Sequence, residues 1–388
     1  MKKILTICSV LLCFFATICC INNTNKCYAN ANNEIDVTGK SYVIVDYNSA
    51  NVLVEKNADA KLQVASIVKL MTTLLTLEEL DKGNINLDDK CVASEYASSM
   101  GGSQAFVDAY AEYTVKDMLK SVIIASANDS SVVLAEHIAG SEDSFVKKMN
   151  SRAKELGLSN TLYTNCTGLP SANQYSTAKD TALLLKEVMK YDIYKKFSTI
   201  WMDELVHQSG RKTELVNTNK LIRYYKGCNG GKTGFTDEAG YCLCASAEKN
   251  GFKLICVCLG SKSNQDRFND CAKLFNYGFA NFESKPILKA NEAVYSDSIK
   301  FAKQEISNFS INRDICITTR KGESSNVEIK YVLSDSLSAP IRKNQICGQV
   351  LVIKNGVVIE TLDLLAMEDI EKVNFIDNLH TIIDNWTI

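Results

Sequence analysis

Three short constellations, Ser66-Ile67-Val68-Lys69, Ser126-Ala127-Asn128 and Lys232-Thr233-Gly234, follow one another along the chain. Together they hold a serine nucleophile, two amines and a bridging hydroxyl, groups that can cleave an amide with no catalytic histidine. A serine hydroxyl attacks poorly until a base takes its proton. Lys69 is that base if its amine is neutral, and burial beside a second cation, Lys232, would keep it so. Ser126 would relay a proton between the amines and a leaving nitrogen, and Asn128 would position Lys69 and bond a substrate carbonyl. Lys232 and Thr233 suit a terminal carboxylate, and Gly234 lets an extended substrate approach a strand edge. The backbone amides of Ser66 and Phe235 would make an oxyanion hole. Standing alone, Ser66 reads as a helix cap and Lys69 as a solvated side chain. The fixed order, with separations of 60 and 106 residues between leading positions, argues against coincidence. Arg267 is a further candidate for the carboxylate, with a surface arginine as the alternative, and His137, His207 and His380 belong to no catalytic pattern.

Apolar spacing supplies the elements that must carry these groups. Strands are predicted over 41–47 and 52–55, and a helix over 65–80 that begins at Ser66 and places Lys69 one turn later on the same face. Thr114 with Asp117 resembles a capping box opening a helix that stops near Ser126, and another helix runs over 129–139 before Gly140. Residues 126–128 then form the connection between two helices. Helical patterns return over 145–156 and 177–189 around a turn-rich segment with Gly168, Leu169 and Pro170. Residues 232–234, 241–247 and 253–259 read as neighbouring antiparallel strands, 274–282 as a helix, and Pro286 as a boundary. Short strands follow over 315–319, 327–332, 350–353 and 357–361, the last two joined through Asn355-Gly356, the strongest hairpin signal in the chain. Ile370, Val373, Ile376, Leu379, Ile382, Ile383 and Trp386 recur at helical spacing. The expected fold class is α+β: helices on an antiparallel sheet with a helical cluster over 35–285, a small all-β domain over 286–367, and an amphipathic helix over 368–388.

Bulk properties narrow the classes. A 388-residue chain exceeds a typical single core, and its 46% hydrophobic and 23% charged residues are those of an ordinary globular protein. A net charge of -2 offers no basic excess for nucleic acid. Lys2 and Lys3 precede an apolar run over 4–21, and residues 22–31 end in Ala29-Asn30-Ala31, so 1–31 reads as a secretory signal peptide. A retained anchor is the alternative, but the run barely reaches the ~18 apolar residues a span needs. Removing 1–31 takes three lysines and no acid, leaving a net charge of -5. Of 15 cysteines, ten lie beyond this segment, without the dense framework of small disulfide scaffolds. Cys242 with Cys244 and Cys256 with Cys258 each put two thiols on one strand face, which makes a metal site conceivable. Their apolar flanks favour buried free thiols instead. No metal or organic cofactor is expected.

On these residues the chain resembles the serine-type D-alanyl-D-alanine carboxypeptidases, low-molecular-mass penicillin-binding proteins of bacterial cell walls. The likeness spans roughly 35–282. It includes 65–73, 126–140, Gly168-Leu169, Tyr175-Ser176-Thr177-Ala178, Asn217-Thr218-Asn219-Lys220 and 230–247, while Ala339-Pro340-Ile341 and the hairpin after it resemble the family's C-terminal β domain. The resemblance implies a penicillin-binding/β-lactamase-like first domain. It implies Ser66 as acylated nucleophile, Lys69 as proton acceptor, Ser126 as shuttle, and Lys232 with Thr233 as carboxylate site, beside Asn128, Gly234 and Phe235. The implied reaction removes the terminal D-alanine from peptidoglycan stem peptides, with β-lactams as covalent inhibitors. The implied location is extracellular or on the outer face of the cytoplasmic membrane, with the terminal helix as a peripheral contact. That helix carries Glu371, Asp377 and Asp384 against Lys372, a poor match for anionic lipid, and packing on its own domain is the alternative. Gln174 stands where many relatives have histidine and Asn229 where aspartate is frequent. A class A β-lactamase would need a glutamate some 36 residues beyond Ser126, where Leu162 lies in a stretch without acids. Endopeptidase or transpeptidase action on the same strands shares the acyl-enzyme, and a non-catalytic penicillin sensor could afford to lose Lys69 or Ser126, both present here.

Overall fold

Val, Ile and Tyr fit a pleated, two-sided buried surface, and Ser41–Asp46 is buried along its whole length. In the computed structural model, which describes residues 35–323 and 326–374, this strand lies inside a five-stranded antiparallel sheet. The order is Val52–Lys56, Ser41–Asp46, Phe252–Ser261, Gly240–Lys249, Cys228–Thr236. The chain divides into two units at Ala280/Asn281.

Register decides which faces the strands share. Cys244 opposes Val257 while Ala245 opposes Cys256 and Leu243 opposes Cys258, so Cys242 and Cys244 lie on one face and Cys256 and Cys258 on the other. The four thiols therefore cannot converge on one metal. Cys242, Cys244, Cys256, Cys258 and Cys271 are free thiols, and burial pushes each of them up. Val43, Val45, Cys242, Cys244, Ile255 and Val257 share a core with Leu70, Met71 and Leu74 of the helix Lys69–Asp81. On the opposite face the helix Asn264–Asn281 comes so close at Gly278 that a Cβ would lie 2.6 Å from Leu254 and 3.3 Å from Ile44.

Two helices run through the interior. Lys69–Asp81 buries its first nine residues and Asn128–Ala139 its first eight, so polar groups at their N-termini sit inside the domain. Asn128–Ala139 ends at Gly140, whose φ of 77° supplies the left-handed residue a helix end favours.

Several expectations need correction. The last helix of the first unit begins at Asn264, not 274: Ser263 Oγ accepts from Asp266 N at 3.1 Å and donates to its carboxylate at 2.7 Å, a cap that starts the helix ahead of its apolar residues. Pro286 is no boundary, because it lies within the strand Phe282–Leu288, which pairs with Ile315–Arg320 in the second unit. A two-stranded ribbon tolerates the missing N–H, and the register shifts just beyond the proline. The hairpin Met202–Val206/Lys212–Val216 was not anticipated, since Glu204 and Glu214 oppose one another across it and mask the strand pattern.

Among its described residues the second unit is all β. Its larger sheet has the order Tyr295–Asp297, Ser307–Ser310, Val357–Ala366, Ile346–Lys354, Val327–Leu333, over a core that includes Phe309, Ile311, Ile315, Val350, Val352 and Leu364. Asn355 (φ 51°) and Gly356 (φ 77°) form the two-residue hairpin turn the sequence announces. Ile370 bridges to Ile341 and Lys372 to Ala302, so 368–374 is not helical. The rest of the predicted terminal helix, and the signal segment, lie outside the described residues. Among the described residues no helix is long and apolar enough to cross a membrane.

Candidate active site

Ser66 sits on the one-turn 3-10 segment Ala65–Val68 that leads into Lys69–Asp81. Ala65 holds a φ of 49°, an uncommon conformation for a non-glycine residue. Two glycines close on this turn from either side. A Cβ on Gly168 would lie 2.1 Å from the Ala65 carbonyl oxygen, and one on Gly234 would lie 2.4 Å from the Val64 carbonyl oxygen and 3.2 Å from Ser66 N. The sheet edge and the loop around residue 168 therefore meet at Ser66 only because both positions lack side chains.

Lys69 is fully buried. Its Nζ lies 3.0 Å from Ser66 Oγ, 2.5 Å from Asn128 Oδ1 and 2.5 Å from the Thr167 carbonyl oxygen. The last two can only accept, so a neutral amine spends both N–H groups on them and directs its lone pair at the Ser66 hydroxyl. Burial lowers the Lys69 pKa to about 7. Burial is what lowers it, opposed by Cys166 and Asp129; the Lys232 cation that the sequence also invoked is not among the causes.

Ser126 is the hinge between two helical segments. The chain widens into a π-type turn over Ser121–Ala125, a feature frequent at functional sites, and Ser126 ends it with a φ of 64°. There its Oγ accepts from Lys232 Nζ at 2.6 Å. Asn128 opens the following helix. Its backbone N–H donates to the Ser103 carbonyl at 2.7 Å and its Nδ2 to the Gly101 carbonyl at 2.6 Å, which fixes Oδ1 on Lys69 and leaves one amide hydrogen for another partner.

Lys232 and Thr233 lie buried on the edge strand Cys228–Thr236. Tyr194 pins the strand just ahead of them: its hydroxyl donates to the Gly231 carbonyl (3.1 Å) and accepts from Gly231 N–H (3.2 Å). Burial, then the Lys69 cation, holds the Lys232 amine well below the ordinary lysine range. Thr233 Oγ1 donates to Thr218 Oγ1 at 2.8 Å. Phe235, 47% exposed, stacks on Tyr241 with ring centroids 4.3 Å apart.

Arg267 is buried and not a surface arginine. It donates to the Gly234 carbonyl (3.1 Å) and to Asn264 Oδ1 (2.6 Å), and its guanidinium lies over the rings of Phe268 and Tyr241. Among the described residues no carboxylate is hydrogen-bonded to Lys69, Lys232 or Arg267. Three basic side chains thus line one region without a hydrogen-bonded acid, and the Arg267 guanidinium keeps its charge there, an environment that favours an anionic ligand.

Of the three histidines, His137 is exposed, His207 is buried between Tyr113 (2.9 Å) and Thr213 (2.8 Å), and His380 lies outside the described residues. Sequence reasoning missed the Thr167 carbonyl and Thr218 as parts of this site. A main-chain carbonyl leaves no residue-type signal, whereas Thr218 stands inside the Asn217–Lys220 segment already singled out.

Comparison with known proteins agrees across both units. Residues 28–263 match the family model described as D-alanyl-D-alanine carboxypeptidase, and 282–372 match that of the penicillin-binding protein 5 C-terminal domain. The D-alanyl-D-alanine carboxypeptidase DacF of Bacillus subtilis (strain 168) is 42% identical over 355 residues, 91% of each chain. DacC of Escherichia coli (strain K12) is 34% identical, covering 87% of this chain and 86% of its own. The crystal structure of penicillin binding protein 5 from Haemophilus influenzae superposes with a TM-score of 0.73 at 32% identity, over 87% of this chain and 98% of that one. A D-alanyl-D-alanine endopeptidase of Pseudomonas aeruginosa matches only 62% of this chain. With both of its units matched in order and its length shared with these relatives, the chain belongs to the D-alanyl-D-alanine carboxypeptidase family.

Proposed function

We propose that the chain is a serine D-Ala-D-Ala carboxypeptidase that removes the terminal D-alanine from peptidoglycan stem peptides through an acyl-enzyme on Ser66. The observation that carries this reading is the valence of the Lys69 amine: Asn128 Oδ1 and the Thr167 carbonyl take its two hydrogens, and Ser66 Oγ faces the lone pair. Lys69 takes the Ser66 proton as the hydroxyl attacks the penultimate D-alanine carbonyl. The oxyanion forms against the amides of Ser66 and Phe235. Ser126, supplied through Lys232, protonates the leaving nitrogen as the amide bond breaks, and free D-alanine departs. Water then hydrolyses the ester and restores Ser66. Lys232, Thr233 and Arg267 hold the substrate's terminal carboxylate, a role supported by the absence of a paired acid among the described residues. Asn128 keeps an amide hydrogen for the substrate backbone, and Gly234 keeps the strand edge open to it.

A β-lactam would acylate the same serine. Export to the cell-wall side of the membrane completes the proposal, supported by the composition of residues 1–31, with the apolar spacing of the terminal segment over 368–388 supporting a peripheral membrane contact.

Two measurements test it. Cleavage of the terminal D-Ala-D-Ala bond is expected to slow by about tenfold or more when the terminal carboxylate is amidated, D-alaninamide then being the product followed in place of D-alanine, because the charged hydrogen bonds to that group are lost. Equal rates on acid and amide would remove the carboxylate site. Since the base must be neutral, the rate of acylation by a fluorescent penicillin is expected to rise with pH through about 7 and level off above it. A rate that falls across that interval would exclude Lys69 as the base.

A further inference from the structure

Gln174 lies outside the three constellations, yet it is 95% buried and makes hydrogen bonds with both ends of its side-chain amide. Its Oε1 accepts from the backbone N–H of Thr164 (3.0 Å) and Asn165 (3.2 Å) and from the Thr164 hydroxyl (3.4 Å). Its Nε2 donates to Asn165 Oδ1 (3.3 Å) and to the Leu169 carbonyl (3.4 Å). Asn165 continues the network. Its Oδ1 also accepts from Gly168 N–H (2.7 Å), Thr167 N–H (3.2 Å) and the Thr167 hydroxyl (3.3 Å), and its Nδ2 donates to the Leu169 carbonyl (3.0 Å). Thr167 Oγ1 in turn accepts from Leu169 N–H at 3.3 Å. Residues 164–169 are thus tied by two side-chain amides into one conformation. What that conformation presents to the rest of the protein is the Thr167 carbonyl, 2.5 Å from Lys69 Nζ.

We infer that Gln174, acting through Asn165, is a positioning residue for the general base: it fixes the Thr167 carbonyl that orients the Lys69 amine toward Ser66. This inference rests on the proposed role of Lys69. The two side chains do different work. Asn165 folds the loop about its own backbone, whereas Gln174 holds that folded loop against the neighbouring 175–176 segment, which is anchored by backbone bonds between Tyr175 and Leu162 and between Ser176 and Leu62. Freed from Gln174, the loop keeps its local turn but loses its fixed distance to Lys69. The amine then has one acceptor in place of two, its lone pair is no longer confined to the serine, and the carbonyl dipole that favours the ammonium form is weakened. Two changes follow together: the plateau rate falls and the rising limb of the pH profile moves to lower pH.

The experiment is the pH dependence of acylation by a fluorescent penicillin in the full chain, comparing wild type, Gln174→Met and Gln174→His, each normalised to the fraction of enzyme labelled at saturation. Gln174→Met is expected to lower the plateau by about tenfold to a hundredfold and to move the limb down by roughly half a unit. Gln174→His, whose ring offers one acceptor and one donor, is expected to restore most of both. A lower labelled fraction with an unchanged normalised rate and unchanged limb would show that Gln174 only stabilises the fold, and would overturn the inference. A wild-type profile in Gln174→Met would overturn it as well. If Lys69→Gln in parallel acylates at the wild-type rate, it is the role of Lys69 that fails, and the two failures are told apart.

Discussion

Lys69→Gln is expected to slow acylation of Ser66 by about a hundredfold to ten-thousandfold, the range that loss of a general base produces. Glutamine is near in length and supplies hydrogens for Asn128 Oδ1 and the Thr167 carbonyl, but it offers no basic lone pair to the Ser66 hydroxyl. The loss would therefore register as chemistry and not as collapse of the interior, which a thermal melt on the same sample checks. A second consequence has a definite sign. The Lys69 cation helps to depress the Lys232 amine, so its removal lets the Lys232 pKa rise toward the ordinary range. Residual activity in Lys69→Gln that depends on a neutral Lys232 would then need higher pH than the wild type does. Acylation of this variant within a factor of about ten of wild type would assign the proton transfer elsewhere.

Gly168→Ala is expected to cost nearly as much, and for a steric reason. A Cβ at this position would stand 2.1 Å from the Ala65 carbonyl oxygen and 2.4 Å from its carbon, both backbone atoms that cannot swing aside. Gly168 also has a φ of 80°, which an L-residue adopts only at a cost of about 1–2 kcal/mol. Gly157, with a φ of 73° and nothing within 4 Å of its would-be Cβ, is the natural control, because alanine there meets the conformational cost alone. Gly157→Ala is expected to lose a modest amount of stability and no activity. Gly168→Ala is expected to lose the same increment of stability plus about a hundredfold in acylation, as the loop withdraws from Ser66 and carries the Thr167 carbonyl off Lys69. Equal activities in the two variants would mean that the close approach at Gly168 does not set the geometry of the nucleophile.

Why some of this site was legible in the sequence and some was not has a physical explanation. Ser66 and Lys69 are one helical turn apart, Lys232 and Thr233 are adjacent on a strand, and Ser126 and Asn128 flank one helix start. Each pair is fixed by local geometry, so residue identity and spacing carry the information. The partner that completes Lys69 is a main-chain carbonyl almost a hundred residues away, and any residue at 167 supplies one. What the chain does encode is the frame around that carbonyl, in Asn165, Gly168 and Gln174, and Gln174 had stood out only as a departure from relatives. Arg267 falls outside the helix predicted over 274–282 because the start of its helix is polar; the Ser263–Asp266 cap that places it is present in the sequence and outweighed by missing apolar periodicity. At Pro286 a turn-forming residue was read by its usual role, where pairing with Ile315–Arg320 kept it in a strand.

An acyl-enzyme on Ser66 is tested most directly by one measurement: wild-type protein and Ser66→Ala are incubated with a D-Ala-D-Ala peptide and, separately, with a penicillin, while released D-alanine is followed and the labelled residue is located by peptide mass mapping. Wild type is expected to release D-alanine and to carry one penicilloyl group on Ser66, and Ser66→Ala to do neither. Release of D-alanine by Ser66→Ala at the wild-type rate, or a penicilloyl group on any other residue, would contradict it.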